Sequence, residues 1–347
     1  MKIAIVGGGF FGCAAAIKIK EQHKKYKVTI FEEKKDILFS ASGKNQFRCH
    51  RGYHYPRSQK TINECLESFD EFNKYLKDCF IDSQNYYAVS KEKSLTSFNQ
   101  YLKILNKNKL NYKLEKNELF NYKSIEGSIL VDEKIINIKA VRKKMKSILK
   151  KLDVKIANNS FINLNNNFVK NYDVIILATY DNNNNNLKEI QSKKENYYYQ
   201  LVEKIIVQIP KKYQKFSAVV VDGPFMCIDP YISKNLSILG NVKKSVLCQT
   251  VDDVHDFKKE YNDLLSKYLV KDIKQSKFKD IINHLSLYFN YTSEIKYYGS
   301  FYVIRCTKKN RRDDRITKIR NQKNIFQVFS GKWVNCFNTG KQISKIL

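Results

Sequence analysis

After Met1 the chain reads Lys2-Ile3-Ala4-Ile5-Val6-Gly7-Gly8-Gly9-Phe10-Phe11-Gly12, and this stretch decides the fold. Its apolar run predicts a buried strand that turns through glycines into a helix. Gly7 would make the tight turn, Gly9 would let the backbone approach a pyrophosphate, and Gly12 would let the helix lie close to the strand. The spacing predicts a dinucleotide site with five contributing residues: Gly7, Gly9, Phe10, Phe11 and Gly12.

The residues that follow complete the same unit. A helix over Cys13–Lys20 would point its unpaired N–H groups and positive dipole end at the diphosphate. A second strand, Lys27–Phe31, ends at Glu32 and Glu33, about 20 residues after the last glycine, where an acid accepts hydrogen bonds from the adenosine ribose. Glu32 is the better candidate of the two. The alternative is a βαβ unit without a nucleotide, in which Glu32 is only a solvated charge at a strand end.

Composition limits the class of protein. The 347 residues, 43% of them hydrophobic, can bury a sizeable core and are enough for two domains. No apolar stretch approaches the roughly 20 residues that cross a bilayer, and no cleavable leader precedes the first strand, so we expect a cytoplasmic protein without a transmembrane segment. The 8 cysteines show no metal-ligand spacing. We expect them to be reduced and expect no metal site.

The formal net charge is +29, from 63 basic and 34 acidic residues. Such an excess favours phosphate-bearing partners. The lysines are nevertheless spread through every segment and interleaved with asparagine runs such as Asn182–Asn186, and no nucleic-acid-binding signature is present. A compositional bias explains this pattern, so we expect no dedicated nucleic-acid surface. The charge would instead raise the local concentration of anionic substrates.

Further parts of the first sheet lie far along the chain. Asp173–Thr179 is a nearly continuous apolar run, which is typical of a strand buried on both faces of a parallel sheet. It ends in the small residues Ala178 and Thr179, which we include among the candidate cofactor-binding residues. A helix is predicted over Asn137–Leu149 and a strand over Val154–Ile156.

A second region, Cys79–Lys134 with Asn183–Tyr298, is rich in tyrosine and phenylalanine and has strand-like runs such as Lys204–Ile209 and Ser217–Val221. These runs predict a separate antiparallel sheet. The stretch Asp222–Tyr231 holds two of the four prolines and should form rigid turns. We therefore expect an α/β fold with a Rossmann-like, mainly parallel domain from residues 1–78, 135–182 and 299–347, and an α+β substrate domain from residues 79–134 and 183–298.

Four segments carry a family resemblance: the glycine turn with Glu32, Ser40–Asn45, Asp173–Thr179, and Phe329–Trp333 followed by Asn338–Lys341. In this order they resemble the FAD-dependent oxidoreductases of the D-amino-acid oxidase type, which include glycine and sarcosine oxidases and 2-hydroxyglutarate dehydrogenase. The resemblance implies FAD as cofactor and a substrate sheet that covers the isoalloxazine ring. It also implies that the flavin half is held by Ser42, Lys44, Asn45, Gly331, Lys332 and Trp333.

The segment Asn45–Ser58 is the densest group of chemically active side chains, with two of the five histidines and three arginines. Imidazole can take a proton from a hydroxyl or ammonium group while a hydride leaves the adjacent carbon, and guanidinium can hold a carboxylate bidentately. A later run, Tyr302–Arg315, would return the chain toward the flavin. The candidate catalytic residues are His50, His54, Arg48 and Arg305.

Structural roles remain open for the same residues. The alternative for His50 and His54 is that they merely pack or hydrogen-bond beside the cofactor. The alternative for Arg48 is that it positions a loop or the pyrophosphate. The other histidines, His23, His255 and His284, are predicted to be surface residues. The family resemblance places Cys306 near the position where sarcosine-oxidase relatives tether FAD covalently, and a simply packed thiol is the alternative.

These observations predict an FAD-dependent oxidoreductase that oxidises a small polar, anionic substrate by hydride transfer to flavin N5. The substrate would be an amine, an amino acid or a 2-hydroxy acid, and the electron acceptor stays open. Two alternatives come from other classes. One is an NAD(P)-dependent dehydrogenase with the same glycine turn, and the other is a non-catalytic basic flavoprotein that binds RNA or a membrane surface.

Overall fold

The computed structural model of the chain describes residues 1–187, 194–308 and 313–347. Two parts of the sequence predictions lie outside these ranges. They are residues 188–193 of the predicted substrate domain, and Arg311 and Arg312 in the run expected to return toward the flavin.

The first layer is a six-stranded sheet whose strands pair in parallel except for one edge hairpin. Its strands, in spatial order, are β17 (Lys318–Gln322), β18 (Ile325–Phe329), β10 (Val174–Leu177), β1 (Lys2–Val6), β2 (Lys27–Phe31) and β9 (Lys155–Ala157). Strands β1 and β10 are central and almost fully buried, as their apolar sequences require. The predicted mainly parallel sheet is confirmed.

Two glycines set the path from β1 into the first helix. Gly7 has a φ of +103°, in the left-handed region, and a Cβ there would lie 2.6 Å from the carbonyl oxygen of Ala178. A Cβ on Gly12 would lie 1.9 Å from the carbonyl oxygen of Gly7. The helix begins at Phe10, three residues before the predicted start at Cys13.

The helices of the described residues cover the first sheet and flank the second. They are α1 (Phe10–Gln22), α2 (Gln59–Leu76), α3 (Phe98–Lys107), α4 (Ile138–Lys151), α5 (Asn166–Lys170), α6 (Asn183–Asn186), α7 (Lys259–Ser266), α8 (Phe278–Leu285) and α9 (Cys336–Ile346). Helix α1 packs against α4 and α9. Helix α4 follows the predicted Asn137–Leu149 closely, because Asn137 accepts hydrogen bonds from the first-turn N–H groups and caps the helix.

The second layer is a nine-stranded sheet that faces the carboxyl ends of the first. Its strands are β5 (Gln84–Ser90), β6 (Tyr112–Leu114), β7 (Ile125–Val131), β11 (Tyr197–Gln208), β12 (Phe216–Val221), β13 (Met226–Tyr231), β14 (Ser233–Asn241), β15 (Val246–Asp252) and β16 (Lys296–Thr307). Its pairs are antiparallel except β5 with β12, which run parallel.

A small sheet joins the two layers and consists of β3 (Arg48–Cys49), β8 (Lys134–Ile136) and β4 (Phe80–Ile81). Because β16 pairs with β11 along its length, the predicted domain boundary at residue 299 falls inside a strand of the larger sheet. Sheet pairing favours a boundary after residue 307, and the division into domains stays a prediction.

Two other predictions need correction. Residues 222–225 of the stretch predicted to form rigid turns do connect β12 to β13, but Met226–Tyr231 form strand β13, and Pro230 fits there because the register with β14 shifts right after it. The histidines predicted at the surface, His23, His255 and His284, are all partly buried. The eight cysteines, all in the described ranges, carry free thiols. None of the described helices is long and apolar enough to span a bilayer.

Candidate active site

A cavity of about 1000 Å³ lies between the carboxyl ends of the first sheet and the inner face of the second. Most of the predicted site residues line it, although they come from five separate parts of the chain: Gly9, Phe10, Phe11, Ser42, Lys44, Asn45, Arg48, His50, His54, Ala178, Arg305, Gly331, Lys332 and Trp333. The predicted residues that do not line it are Gly7, Gly12, Glu32, Glu33 and Thr179.

The helix N-terminus at one end of the cavity is open to an anion. Gly9 caps α1 without a side chain, and the first turn holds no acidic residue. The Oγ of Ser42 accepts a hydrogen bond of 3.2 Å from the N–H of Phe10, which joins the loop Ala41–Gly43 to the helix start. Free backbone N–H groups at the positive end of a helix favour phosphate oxygens.

The two acidic candidates at the end of β2 differ in position. Glu32 is buried, and its carboxylate accepts hydrogen bonds from the N–H groups of Gly8 at 2.7 Å and Lys34 at 2.9 Å. Burial raises the pKa of Glu32, although these hydrogen bonds oppose the shift. Glu33 is exposed and pairs with the Lys34 ammonium at 3.0 Å. The structure therefore places Glu32 beside the glycine turn and Glu33 toward solvent.

The loop side chains Lys44 and Asn45 tie the loop to its surroundings. The Asn45 amide donates to the carbonyls of Ala41 and Ser42 and its oxygen accepts from the N–H of Phe47. The Lys44 ammonium donates to two carbonyl oxygens, those of Lys267 and Tyr302 in the substrate layer. Burial lowers the pKa of Lys44 to about 8.

The chain returns to the cavity through Gly331, Lys332 and Trp333. The Trp333 ring stacks on Phe10 with centroids 5.0 Å apart, so the return segment packs directly on the helix that begins the nucleotide site. The Lys332 ammonium lies 4.5 Å from the ring centroid of Tyr55. Burial, followed by the positive charges of Arg315, Arg305 and Lys204, lowers the pKa of Lys332 to about 7.

His50 and His54 lie side by side on the cavity wall, with ring centroids 5.1 Å apart. Burial lowers the pKa of His50, and the nearby Glu133 carboxylate opposes this shift. Burial, His50 and Lys332 place the pKa of His54 well below its usual value. Both imidazoles are therefore neutral near pH 7 and able to accept a proton.

Glu133 is a site residue that sequence reasoning missed. It lies in the turn between β7 and β8, is fully buried, and has an Oε1 3.5 Å from Nδ1 of His50. The same carboxylate accepts hydrogen bonds from Arg48 at 3.2 Å and from the Tyr87 hydroxyl at 2.7 Å. Burial alone would raise the pKa of Glu133, but His50, Arg48 and Tyr87 together lower it to about 2.

Arg48 is only 2% exposed, and its guanidinium is already occupied by protein groups. It donates to Glu133, to the Ser217 hydroxyl and to Asp229 of β13. Its pairing with two buried carboxylates joins β3 to the substrate sheet and neutralises the charge beside His50. This geometry supports a positioning role for Arg48 more than direct contact with a substrate.

Arg305 has the opposite environment. Its Nε donates to the Gln200 side chain at 2.8 Å and one terminal nitrogen donates to the Val242 carbonyl, but no carboxylate among the described residues pairs with it. Burial, followed by Arg315, lowers its pKa. Arg57, in contrast, pairs with Asp222 and Asp313 at the cavity wall.

Cys306 lies on β16 within a cluster of aromatic side chains that includes Tyr197, Tyr199 and Phe329. Its backbone N–H and carbonyl both bond the Tyr180 hydroxyl. Burial raises the pKa of the Cys306 thiol, so little reactive thiolate is present near neutral pH.

The cavity wall is strongly cationic. Thirteen lining residues are lysine or arginine and three are aspartate, whereas the whole chain has 63 basic to 34 acidic residues. His284 also lines the wall, where its Nδ1 lies 2.9 Å from the Asn241 amide nitrogen. The local imbalance exceeds the compositional bias of the chain, so the cavity favours an anionic occupant.

Comparison with known proteins identifies the same family that the sequence motifs resemble. Residues 2–212 match the sequence model of the family described as DAO, FAD dependent oxidoreductase. The FAD-dependent monooxygenase FPY4 of Fusarium mangiferae is 22% identical over 351 residues, covering 99% of this chain and 90% of that protein. An L-2-hydroxyglutarate dehydrogenase of Indibacter alkaliphilus is 26% identical over 77 residues, 22% of this chain and 19% of that protein. The crystal structure of glycine oxidase from Geobacillus kaustophilus has a TM-score of 0.70 at 10% identity, covering 99% of this chain and 93% of that one.

Proposed function

Because the chain belongs to the DAO family of FAD-dependent oxidoreductases, we propose that it oxidises a small anionic substrate at a C–N or C–OH carbon. The substrate class that we propose is an amino acid, another acidic amine or a 2-hydroxy acid. The family assignment confirms the predicted cofactor and enzyme class, so the nicotinamide-dependent and non-catalytic alternatives are set aside. The observation that carries the proposal is the lining of the cavity. It brings together two neutral histidines, His50 and His54, and two cations, Arg305 and Lys332, that pair with no carboxylate among the described residues.

The residues present fit an FAD molecule. The N-terminus of α1 has no capping side chain and opens into the cavity, which suits a diphosphate. Glu32 is buried beside the glycine turn, where its carboxylate accepts a hydrogen bond from the Gly8 N–H. A ribose hydroxyl can take the place of such a backbone donor. The segment Gly331–Trp333 lies along the same cavity, so we propose that it contacts the flavin half.

His50 is the group that we assign to proton removal from the substrate hydroxyl or amine. Its neutral imidazole lines the cavity, and the Glu133 carboxylate near Nδ1 favours the tautomer that leaves Nε2 free to accept a proton. Once protonated, the imidazolium would be stabilised by the same carboxylate. His54, beside it, helps to fix the ring and to exclude water.

Arg305 and Lys332 are the cations that we assign to the substrate anion. Both face the cavity, and no described carboxylate neutralises either of them. Pairing with a substrate carboxylate would orient the carbon that reacts. When bound, FAD supplies the redox chemistry by accepting the hydride from that carbon.

The test is anaerobic mixing of the FAD-loaded protein with amino acids, 2-hydroxy acids and phosphorylated sugars, followed by flavin absorbance. We expect one class to bleach the flavin, and His50→Ala to retain FAD while it slows reduction by about 10²–10⁴-fold. His284→Ala is the matched control, because this imidazole also lines the cavity but its Nδ1 lies beside the Asn241 amide and not beside a carboxylate. Unchanged reduction by His50→Ala would remove His50 from the mechanism, and a flavin that no substrate class reduces would contradict the proposed reaction.

A further inference from the structure

The inner face of the larger sheet carries two cations on neighbouring strands. On β11, Val202 and Lys204 line the cavity, and on β16 the lining residues include Val303, which pairs with Val202, and Arg305. Lys204 pairs with Phe301, four residues before Arg305. At about 3.3 Å per residue the two positions are about 13 Å apart along the sheet. Two long, flexible cationic side chains therefore project from separate points above the same cavity.

Lys204 has no ion-pair or hydrogen-bond partner for its ammonium among the described residues. The Asp229 carboxylate, whose charge acts on Lys204, accepts hydrogen bonds from Arg48, Ser217 and Gln46. Burial is the largest cause that lowers the pKa of Lys204, and Arg305 lowers it further, while Cys227 and Asp229 oppose the shift. A partly buried ammonium without a counter-ion destabilises the empty site, and a bound anion would remove that cost.

The cavity itself gives an anion access to Lys204, because Lys204 is one of the residues that line it. Gly240 of β14 lines the same cavity, and a Cβ there would lie 2.4 Å from Cys227 Sγ and 2.9 Å from the Gln46 side chain. The wall at Gly240 is therefore closely packed, and the anion would lie on the open side of the cavity.

We propose that Lys204 binds a second anionic group of the substrate, a carboxylate or a phosphate, while Arg305 binds the carboxylate beside the reacting carbon. This inference rests on the proposed function for the role of Arg305. It narrows the substrate class to acids that carry a further acidic group at the other end of a short chain. Lys204 then selects doubly charged substrates over singly charged ones.

The test uses non-reducible probes with FAD-loaded protein, so that binding is measured without turnover. Butyrate, glutarate, phosphoglycolate and inorganic phosphate are titrated while the flavin spectrum and the thermal unfolding midpoint are recorded. Wild type should bind glutarate or phosphoglycolate at least about 10-fold more tightly than butyrate, and Lys204→Met should weaken the dianion about 10–100-fold without changing butyrate binding. Stronger binding of phosphoglycolate or of glutarate distinguishes a phosphate site from a carboxylate site.

Lys296→Met is the control, because Lys296 begins β16, the strand that pairs with β11, but is exposed and outside the cavity. Lys204→Met should also unfold at the same or a higher temperature than wild type without ligand, since it removes an unpaired charge. Equal binding of dianion and monoanion, or equal weakening of both by Lys204→Met, would overturn the inference. Lys204-dependent dianion binding by a protein whose flavin no substrate reduces would support this site while refuting the proposed reaction.

Discussion

The buried carboxylate of Glu133 allows a test of the site in which structure and mechanism give separate readouts. Glu133→Gln keeps the shape of the side chain but removes the negative charge between Arg48 and His50. Loss of one partner from a buried ion pair costs about 3–5 kcal/mol of unfolding free energy. Because Asp229 remains beside Arg48, we expect the lower end of this range, about 3 kcal/mol.

The same substitution should alter the pH dependence of flavin reduction. The rate requires neutral His50, so it rises as the pH increases through the pKa of His50. Glu133 opposes the lowering of this pKa by burial, so its loss should move the acid limb to lower pH. The plateau rate should fall at least about 10-fold, because the imidazolium formed in the reaction loses its counter-ion.

Acid unfolding gives a third readout of the same charge. The pKa of Glu133 is lowered from 4.5 to about 2 in the folded protein. The stabilisation from this carboxylate is therefore present above pH 4.5 and is lost as the pH falls toward about 2. Urea unfolding of the wild type at decreasing pH should show this loss of unfolding free energy. Glu133→Gln should not show it over the same pH range.

Tyr87→Phe is the matched control for these measurements. It removes one hydrogen bond of 2.7 Å to the same carboxylate without changing any charge. We expect about 1–2 kcal/mol of destabilisation and an acid limb at the wild-type pH. Suppose that Glu133→Gln leaves the acid limb at the wild-type pH and lowers the unfolding free energy no more than Tyr87→Phe does. Glu133 would then neither neutralise the charge of Arg48 nor shift the pKa of His50.

Two further predictions concern the cofactor. Gly12→Ala should yield colourless protein with a lower unfolding midpoint, because the new Cβ would lie 1.9 Å from the Gly7 carbonyl oxygen; a normal ratio of flavin to protein absorbance would contradict this. Acid precipitation should leave FAD in the supernatant for both wild type and Cys306→Ala, because burial raises the pKa of that thiol and disfavours attack. Yellow colour in the wild-type pellet, absent from Cys306→Ala, would show a covalent link.

The parts of the fold that the sequence predicts have local causes. The glycine turn, β2 and β10 follow from residues that are adjacent in the chain, and each appears at or near its predicted position. The turns predicted over Asp222–Tyr231 are partly wrong, because cross-strand pairing with β14 outweighs the preference of proline for turns. The composition of a segment does not show which strand will pair with it in the sheet.

The parts of the site that were missed depend on long-range pairing. Glu133 is 85 residues from Arg48 in sequence, and nothing near it in the chain marks it as the partner of Arg48 and His50. Lys204 sits in a strand-like run in which one lysine among many carries no signal. Its significance comes from the sheet register, which turns it toward the cavity, and from the prior use of Asp229 by Arg48.

The net charge of +29 includes lysines on the surface and cations in the cavity, and the two groups differ in significance. A lysine on the surface keeps its hydration and needs no counter-ion, so compositional bias is a sufficient account of it. Lys204, Arg305 and Lys332 lose part of their hydration in a shared cavity, Arg305 lowers the pKa of Lys204, and both of these cations lower the pKa of Lys332. An anion in the cavity would offset that repulsion. The positions of these three cations therefore carry information about the substrate that the total charge does not.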